Sequence, residues 1–301
     1  MPKVSVILPV YNVGPYLDEA LRSLTDQTLQ DLEIIAVNDG STDDSETILR
    51  RYQAADSRIS FFNQANQGQS VARNTALEHA TGDFIYFMDS DDVINTTALE
   101  VCCNYMETTK ADFIFFDGDT LQETGATPIP WDYHRTQLVE ENMRYTGRDL
   151  LNLMLDKEKH NCVVWLLLIR REYLERIQLR FYPGIIHEDE LFTTMLTLQS
   201  DNIFALQRCL VKHRIRKAST MGISYSQRNI NCYLTVIDEL LKFQDSPTIR
   251  KFARYTLSRV FYTGHLIPFV EKPGIFWRAV RSGYLRYIGL KSVAVFWLKQ
   301  K

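Results

Sequence analysis

Between residues 4 and 117 the chain alternates short apolar runs with amphipathic stretches. The runs at 4–10 (VSVILPV), 32–38 (LEIIAVN), 59–63 (ISFFN), 83–88 (DFIYFM) and 112–117 (DFIFFD) read as buried strands. Residues 14–26, 70–80 and 97–107 carry helical spacing, as in Tyr16, Leu17, Ala20, Leu21 and Leu24. Asp43, with Glu46 three residues on, signals the start of another helix. Near-continuous apolar strands separated by helices predict an α/β fold with a mostly parallel sheet covered on both faces. Such sheets bind ligands beyond the carboxyl ends of their strands.

The pattern then loosens. Residues 118–162 read as loop or a short hairpin, 163–177 as a strand passing into a helix, and 181–199 as a loop entering an amphipathic helix. Residues 202–216 read as two short strands, and helices follow at 234–243 and 248–267. No repeat or low-complexity segment interrupts this, so the expected division is 1–220 and a helical region at 221–301.

Polar residues gather at the predicted strand ends: Asn12, then Asn38, Asp39, Gly40 and Ser41, then Asp89, Ser90, Asp91 and Asp92. Three carboxylates at the mouth of a buried strand repel one another and resist desolvation. A divalent cation resolves this, because Mg²⁺ or Mn²⁺ takes oxygen ligands and is shared with substrate phosphates. In an extended segment Asp89 and Asp91 point to the same side. The alternative is a solvated turn with Asp92 as a helix cap. A carboxylate in 38–44 could accept from a nucleobase edge. Arg73, pointing back toward the strand ends, could pair with a diphosphate or neutralise Asp89 and its neighbours.

Composition narrows the class. The chain has 301 residues, 45% hydrophobic and 24% charged, with a net charge of −3. That is ordinary for a globular protein and unlike a nucleic-acid binder, which is usually basic. The five cysteines form no C-x-x-C pair, and the start carries no secretory signal, which predicts a reduced, cytoplasmic protein. The longest apolar run, 163–169, falls far short of the ~20 residues of a membrane span.

The motifs PVYN (9–12), VNDGSTD (37–43), NQG (66–68) with ARN (72–74), and DSDD (89–92) resemble, in order and spacing, the family 2 glycosyltransferases of the GT-A fold. The resemblance implies a Rossmann-like sheet flanked by helices and a nucleotide-sugar donor, with UDP as the expected nucleotide. It implies that Tyr11 stacks on the uracil, Pro9 shapes the same wall, Asn12 and Asn66 line the donor site, Asp39 bonds the base and Arg73 faces the nucleotide. It assigns Asp89 to the ribose or the metal and Asp91 to the Mn²⁺ or Mg²⁺ at the diphosphate. Many relatives have Asp where this chain has Asn38. HEDELF (187–192) resembles the family's Glu-Asp motif, which makes Asp189 the general base and Glu188 its orienting neighbour. Both also suit the first turn of a helix through its dipole. KHRIRKAS (212–219) resembles a basic segment that follows the Glu-Asp motif in many relatives; Arg214 and Arg216 alternate as in a strand and could share a face, and His213 or Arg216, with Ser219, could cover the donor diphosphate.

The implied reaction is an inverting, non-processive transfer to a glycan or lipid-linked glycan of the cell envelope, of lipopolysaccharide or another polysaccharide type. No Gln-x-x-Arg-Trp motif of processive relatives occurs. A non-catalytic nucleotide-sugar-binding protein and a nucleotidyltransferase are the rivals. The latter usually has a Gly-rich phosphate loop after strand one, where YNVGPYL has one glycine. Residues 275–301 hold six basic residues, no acidic one and six Phe, Trp or Tyr. That suits an amphipathic helix on an anionic membrane at the inner face of the plasma membrane. It equally suits a helix packed on the catalytic region or on a second subunit in a homodimer.

Overall fold

The structure, a computed structural model, describes residues 2–127, 129, 132–216 and 225–299. Its elements are β1 (Val4–Val10), α1 (Gly14–Thr25), β2 (Leu32–Asp39), α2 (Ser45–Ala55), β3 (Ile59–Gln64), α3 (Gln69–Glu78), β4 (Phe84–Phe87) and β5 (Val93–Ile94). Then come α4 (Ala98–Thr109), β6 (Phe113–Gln122), α5 (Gly147–Asp156), β7 (Leu167–Arg170), α6 (Arg171–Arg176), α7 (Glu188–Leu198) and β8 (Ile203–Ile215). Among the described residues four α-helices follow: α8 (Gln227–Phe243), α9 (Pro247–Thr263), α10 (Lys272–Arg281) and α11 (Leu290–Leu298).

The strands form one eight-stranded sheet in the order β3-β2-β1-β4-β7-β6-β8-β5. The β3-β2-β1-β4 half is parallel throughout, as the apolar runs predict. Strand β7 enters antiparallel to both β4 and β6, β6 and β8 run parallel, and β5 caps the edge antiparallel to β8. Alternation along β1 divides the core. Val4, Val6, Leu8 and Val10 pack on one face with α1 and α4, and Ile7 packs on the other with α3. Both faces are covered, which is why these strands read as continuous apolar runs.

Three local expectations are corrected. Residues 202–216 form one strand of 13 residues, because β6 runs beside it from Phe113 to Gln122 and a register shift near Asp117 absorbs the polar Gln207 and Arg208. The 118–162 segment contains α5, whose start is capped by Thr146 accepting from the amide of Asp149 at 3.2 Å. Asp43 does not cap α2. Its Oδ1 accepts from the Ser45 amide and its Oδ2 from the Gly14 amide, tying together the starts of α1 and α2.

The tail is not one amphipathic helix. It breaks at Gly283, whose φ is +70°, into α10, a 3-10 turn (Tyr284–Tyr287) and α11. Ile275, Ala279, Tyr284, Tyr287, Ile288 and Phe296 pack into the core shared with α8 and α9, and Arg278 bonds Asn231 and Thr235 of α8. Trp277, Leu290 and Leu298 remain outside, with Trp277 59% exposed. No described helix is long and apolar enough to cross a membrane.

Helix α5 locks against the end of α7. The Gly147 amide donates to the Ser200 carbonyl at 2.7 Å, and a Cβ on Gly147 would lie 1.6 Å from the Thr197 carbonyl oxygen. Backbone cannot give way cheaply, so Gly147→Ala is expected to cost at least ~3 kcal/mol, the upper range for overpacking. Chemical denaturation that places the variant within ~0.5 kcal/mol of wild type, the range of neutral surface changes, sinks this reading.

Candidate functional site

The site lies at the carboxyl ends of β1, β2, β3 and β4, and the loops after the first three are bound to one another. Asn12, after β1, sits at φ +49°, a left-handed conformation that asparagine tolerates. Its side-chain oxygen accepts from the Thr42 amide at 2.8 Å, and its own amide donates to Ser41 Oγ. Asn38 donates to Asn63 and accepts from the Ser41 amide. Gly40 needs its φ of +72°, and a Cβ there would meet the Asn66 amide at 2.9 Å. Asp39 is buried and fixes the third loop, accepting from Gln64 Nε2 at 2.7 Å and from the amides of Gln67 and Gly68 at 2.9 and 2.8 Å. Above them Tyr11 is half exposed and Asn66 faces solvent, while Pro9 is partly covered within β1.

Arg73 does not face an open cleft, as expected for a nucleotide contact. It is 1% exposed, and its Nη1 donates to Asp189 at 2.7 Å and Glu188 at 3.0 Å, while Nη2 donates to Asp89 at 3.0 Å. It lies over the Phe181 ring, and its Nε has no partner among the described residues. Burial opposes its charge, yet Asp189, Asp89 and Glu188 outweigh burial and hold its pKa above the usual arginine value. Helix α3 thus carries a cation that joins the β4 end to the start of α7. Gln69, one turn earlier, also bonds Glu188.

One guanidinium serves three carboxylates, of which Glu188 is buried and Asp89 and Asp189 are partly covered. Burial, then repulsion from Glu188 and Asp89, pushes Asp189 up to about 8 against the pull of Arg73. His187, just before α7, takes φ +68°, in the left-handed region. It stacks on Tyr233 of α8 at 4.1 Å, so the helical region buttresses the turn that presents Glu188 and Asp189.

The DSDD carboxylates take different partners. Asp91 Oδ2 lies 2.7 Å from Arg216 Nε, and burial followed by Asp89 raises its pKa. Asp92 is fully buried, 2.9 Å from His213 Nδ1, and accepts from the Arg214 amide. Burial lifts Asp92 to about 7. Burial alone would lower His213, but Asp92 outweighs it and raises the imidazole. His213 is stacked on Trp165 at 4.9 Å, which holds its ring against Asp92. Arg214 and Arg216 do share a face, both lying 5.2 Å over the Tyr16 ring. Ser219 lies outside the described residues.

These residues suit a hard divalent cation. Donor atoms of Asp89, Asp92 and His213 lie within 4.8 Å of one another, and Asp91 stands beside them on Arg216. Oxygen-rich donors with one imidazole match Mn²⁺ or Mg²⁺. Sequence reasoning named Asp89 and Asp91 but not Asp92. The only available signal was the third carboxylate in DSDD, since the Trp165–His213–Asp92 stack joins residues far apart in the chain.

Comparison with known proteins identifies the family and the fold. The family profile described as glycosyl transferase family 2 matches residues 5–178. The chain is 32% identical over 231 residues to the uncharacterized glycosyltransferase YibD of Escherichia coli (strain K12), covering 76% of this chain and 66% of YibD. It is 31% identical over 264 residues to the uncharacterized glycosyltransferase EpsJ of Bacillus subtilis (strain 168), covering 86% of this chain and 72% of EpsJ. The fold superposes on Staphylococcus aureus TarS, solved with UDP-GlcNAc, with a TM-score of 0.73 at 22% identity, covering 97% of this chain and 83% of TarS. It also superposes on a Pyrobaculum calidifontis mannosyltransferase solved with GDP-Man and Mn²⁺, with a TM-score of 0.61 at 18% identity, covering 98% and 78%. The sheet is therefore a GT-A sheet, and the chain belongs to glycosyl transferase family 2.

Proposed function

We propose that this protein is an inverting, non-processive glycosyltransferase that moves a sugar from a UDP-sugar to a hydroxyl of a cell-envelope glycan. The observation that carries the reading is the Arg73 junction, which brings Asp189 and Glu188 from α7 against Asp89 at the β4 end. A donor held at the strand ends then lies beside a carboxylate able to take a proton. The acceptor oxygen attacks the anomeric carbon as the bond to the diphosphate oxygen breaks, and Asp189 takes the hydroxyl proton. Glu188, buried and bonded to Gln69 and Arg73, holds Asp189 in place. Tyr11 offers a half-exposed ring for the uracil, and Asp39 sets the loop beneath it. Asp89 and Asp91, with Asp92 and His213 behind them, would hold Mn²⁺ or Mg²⁺. That ion supplies positive charge to the leaving diphosphate. Arg216, released from Asp91, would meet the same phosphates.

The test is calorimetric titration of UDP with and without Mn²⁺. Metal-dependent binding is expected in the wild type and lost in Asp91→Asn. Binding indifferent to both metal and mutation removes the assignment. Arg216→Gln should bind Mn²⁺ alone severalfold more tightly, because Asp91 is freed, yet turn over more slowly. Unchanged Mn²⁺ affinity would show that the ion does not compete for Asp91.

A lipid-linked acceptor suits the exposed Trp277, Phe269, Leu290 and Leu298 beside Arg281, Lys291 and Lys299. Truncating the tail would remove core residues such as Phe296 and Tyr287, so surface changes are the proper test. Trp277→Asp with Leu298→Asp is expected to release the protein from anionic vesicles without unfolding it. Undiminished vesicle binding by the folded double variant rejects the membrane contact.

A further inference from the structure

The first turn of α7 sends neighbouring carboxylates in different directions. Glu188 and Asp189 meet Arg73, while Glu190 reaches the segment after α5 and meets Cys162 and His160. Cys162 Sγ lies 2.7 Å from His160 Nε2 and 2.9 Å from Glu190 Oε2, and the latter two atoms are 3.8 Å apart. The three donor atoms all fall within 4.8 Å of one another. Their surroundings are largely dry: Cys162 is 7% exposed, and the His160 and Glu190 side chains 10% and 19%. A thiol carries one proton, and a largely covered carboxylate with a single weak S–H donor is poorly solvated.

A second observation adjoins the trio. A cavity of about 40 Å³ is lined by Arg135, His160, Asn161 and Thr193 among apolar side chains. Arg135 donates from Nη1 to the Asn161 carbonyl at 2.6 Å, but its buried Nε and Nη2 have no partner among the described residues. Those two N–H groups need an acceptor that the described protein does not supply, and the cavity has room for a water or a small anion.

We propose that His160, Cys162 and Glu190 form a binding site for a zinc-class divalent ion, separate from the strand-end carboxylates, with a fourth position open to a water or small anion held by Arg135. Thiolate, imidazole and carboxylate are the zinc ligands of proteins, and three protein ligands with one open position is an established zinc arrangement. The strand-end site offers no thiol and suits a harder ion. Binding deprotonates Cys162, its proton leaving to solvent, so thiolate and carboxylate together balance the ion's two charges. The imidazole is ready as a neutral ligand, since burial, then Arg135 and Arg259, lowers His160 to about 3. Arg135 and Arg259 leave positive charge nearby, which favours an anionic fourth ligand such as hydroxide or chloride. The ion would pin α7 one residue beyond Asp189.

The test is Co²⁺ titration of the metal-stripped full-length protein. One Co²⁺ per chain should give tetrahedral visible bands and a near-ultraviolet thiolate-to-cobalt charge-transfer band, both bleached by Zn²⁺. The bands should vanish in Cys162→Ser, weaken in Glu190→Gln and persist in Asp91→Asn. No charge-transfer band in folded wild type, or one indifferent to Cys162→Ser, overturns the site. If Cys162→Ser does not fold, His160→Gln decides: loss of the tetrahedral spectrum supports the site, and an unchanged spectrum overturns it.

Discussion

Asp189→Asn is expected to lower kcat/KM by ~10²–10⁴-fold, the usual contribution of a positioned general base. Donor binding should change little, because Asp189 meets the nucleotide side only through Arg73. As the proposed base, Asp189 acts in its unprotonated form, and burial lifts its pKa to about 8. The kcat/KM of the free enzyme should therefore rise through the neutral and alkaline range toward that value. A flat profile there, or an Asn variant with near-normal turnover, removes Asp189 from the proton transfer. The same shift links to stability. The folded state binds this proton more tightly than the unfolded chain, so the contribution is fully present below the ordinary aspartate range. It is lost as pH rises through about 8.

Arg73→Met is expected to destabilise the fold by ~3–5 kcal/mol, the cost of removing one partner from a buried ionic cluster. The reason is arithmetic of charge: Asp89, Glu188 and Asp189 converge on this one guanidinium and would be left to repel one another. The deficit should shrink as pH falls, because protonated carboxylates no longer need the cation. Adding Asp189→Asn should recover part of the loss, giving a sub-additive pair in urea denaturation. A deficit that is constant with pH, or strict additivity, would mean that Arg73 contributes packing on Phe181 and little charge balance.

The parallel half of the sheet was legible because its strands are buried on both faces and leave continuous apolar runs, as in residues 32–38 and 83–88. The second half was less so. Strand β8 looked like two strands because its polar positions fall where the register to β6 shifts, a feature of the partner rather than of the segment. Helix α5 was hidden in a stretch read as loop, although Thr146 and Asp149 carried its cap.

The sequence by itself determined the parallel half of the sheet, the loops that bear chemistry, and the residue types at the strand ends, because these are local: each motif closes a turn within a few residues of its strand. Tertiary structure alone decided partnership. It placed Arg73 among carboxylates 16 and 116 residues away, as with Asp89 and Asp189, and paired Asp91 with Arg216. It buried His213 on Asp92 and Trp165, and packed half of an aromatic tail into the core. Charge and aromaticity are properties of a residue, but the neighbour that neutralises or covers it is chosen by the packing of the whole chain.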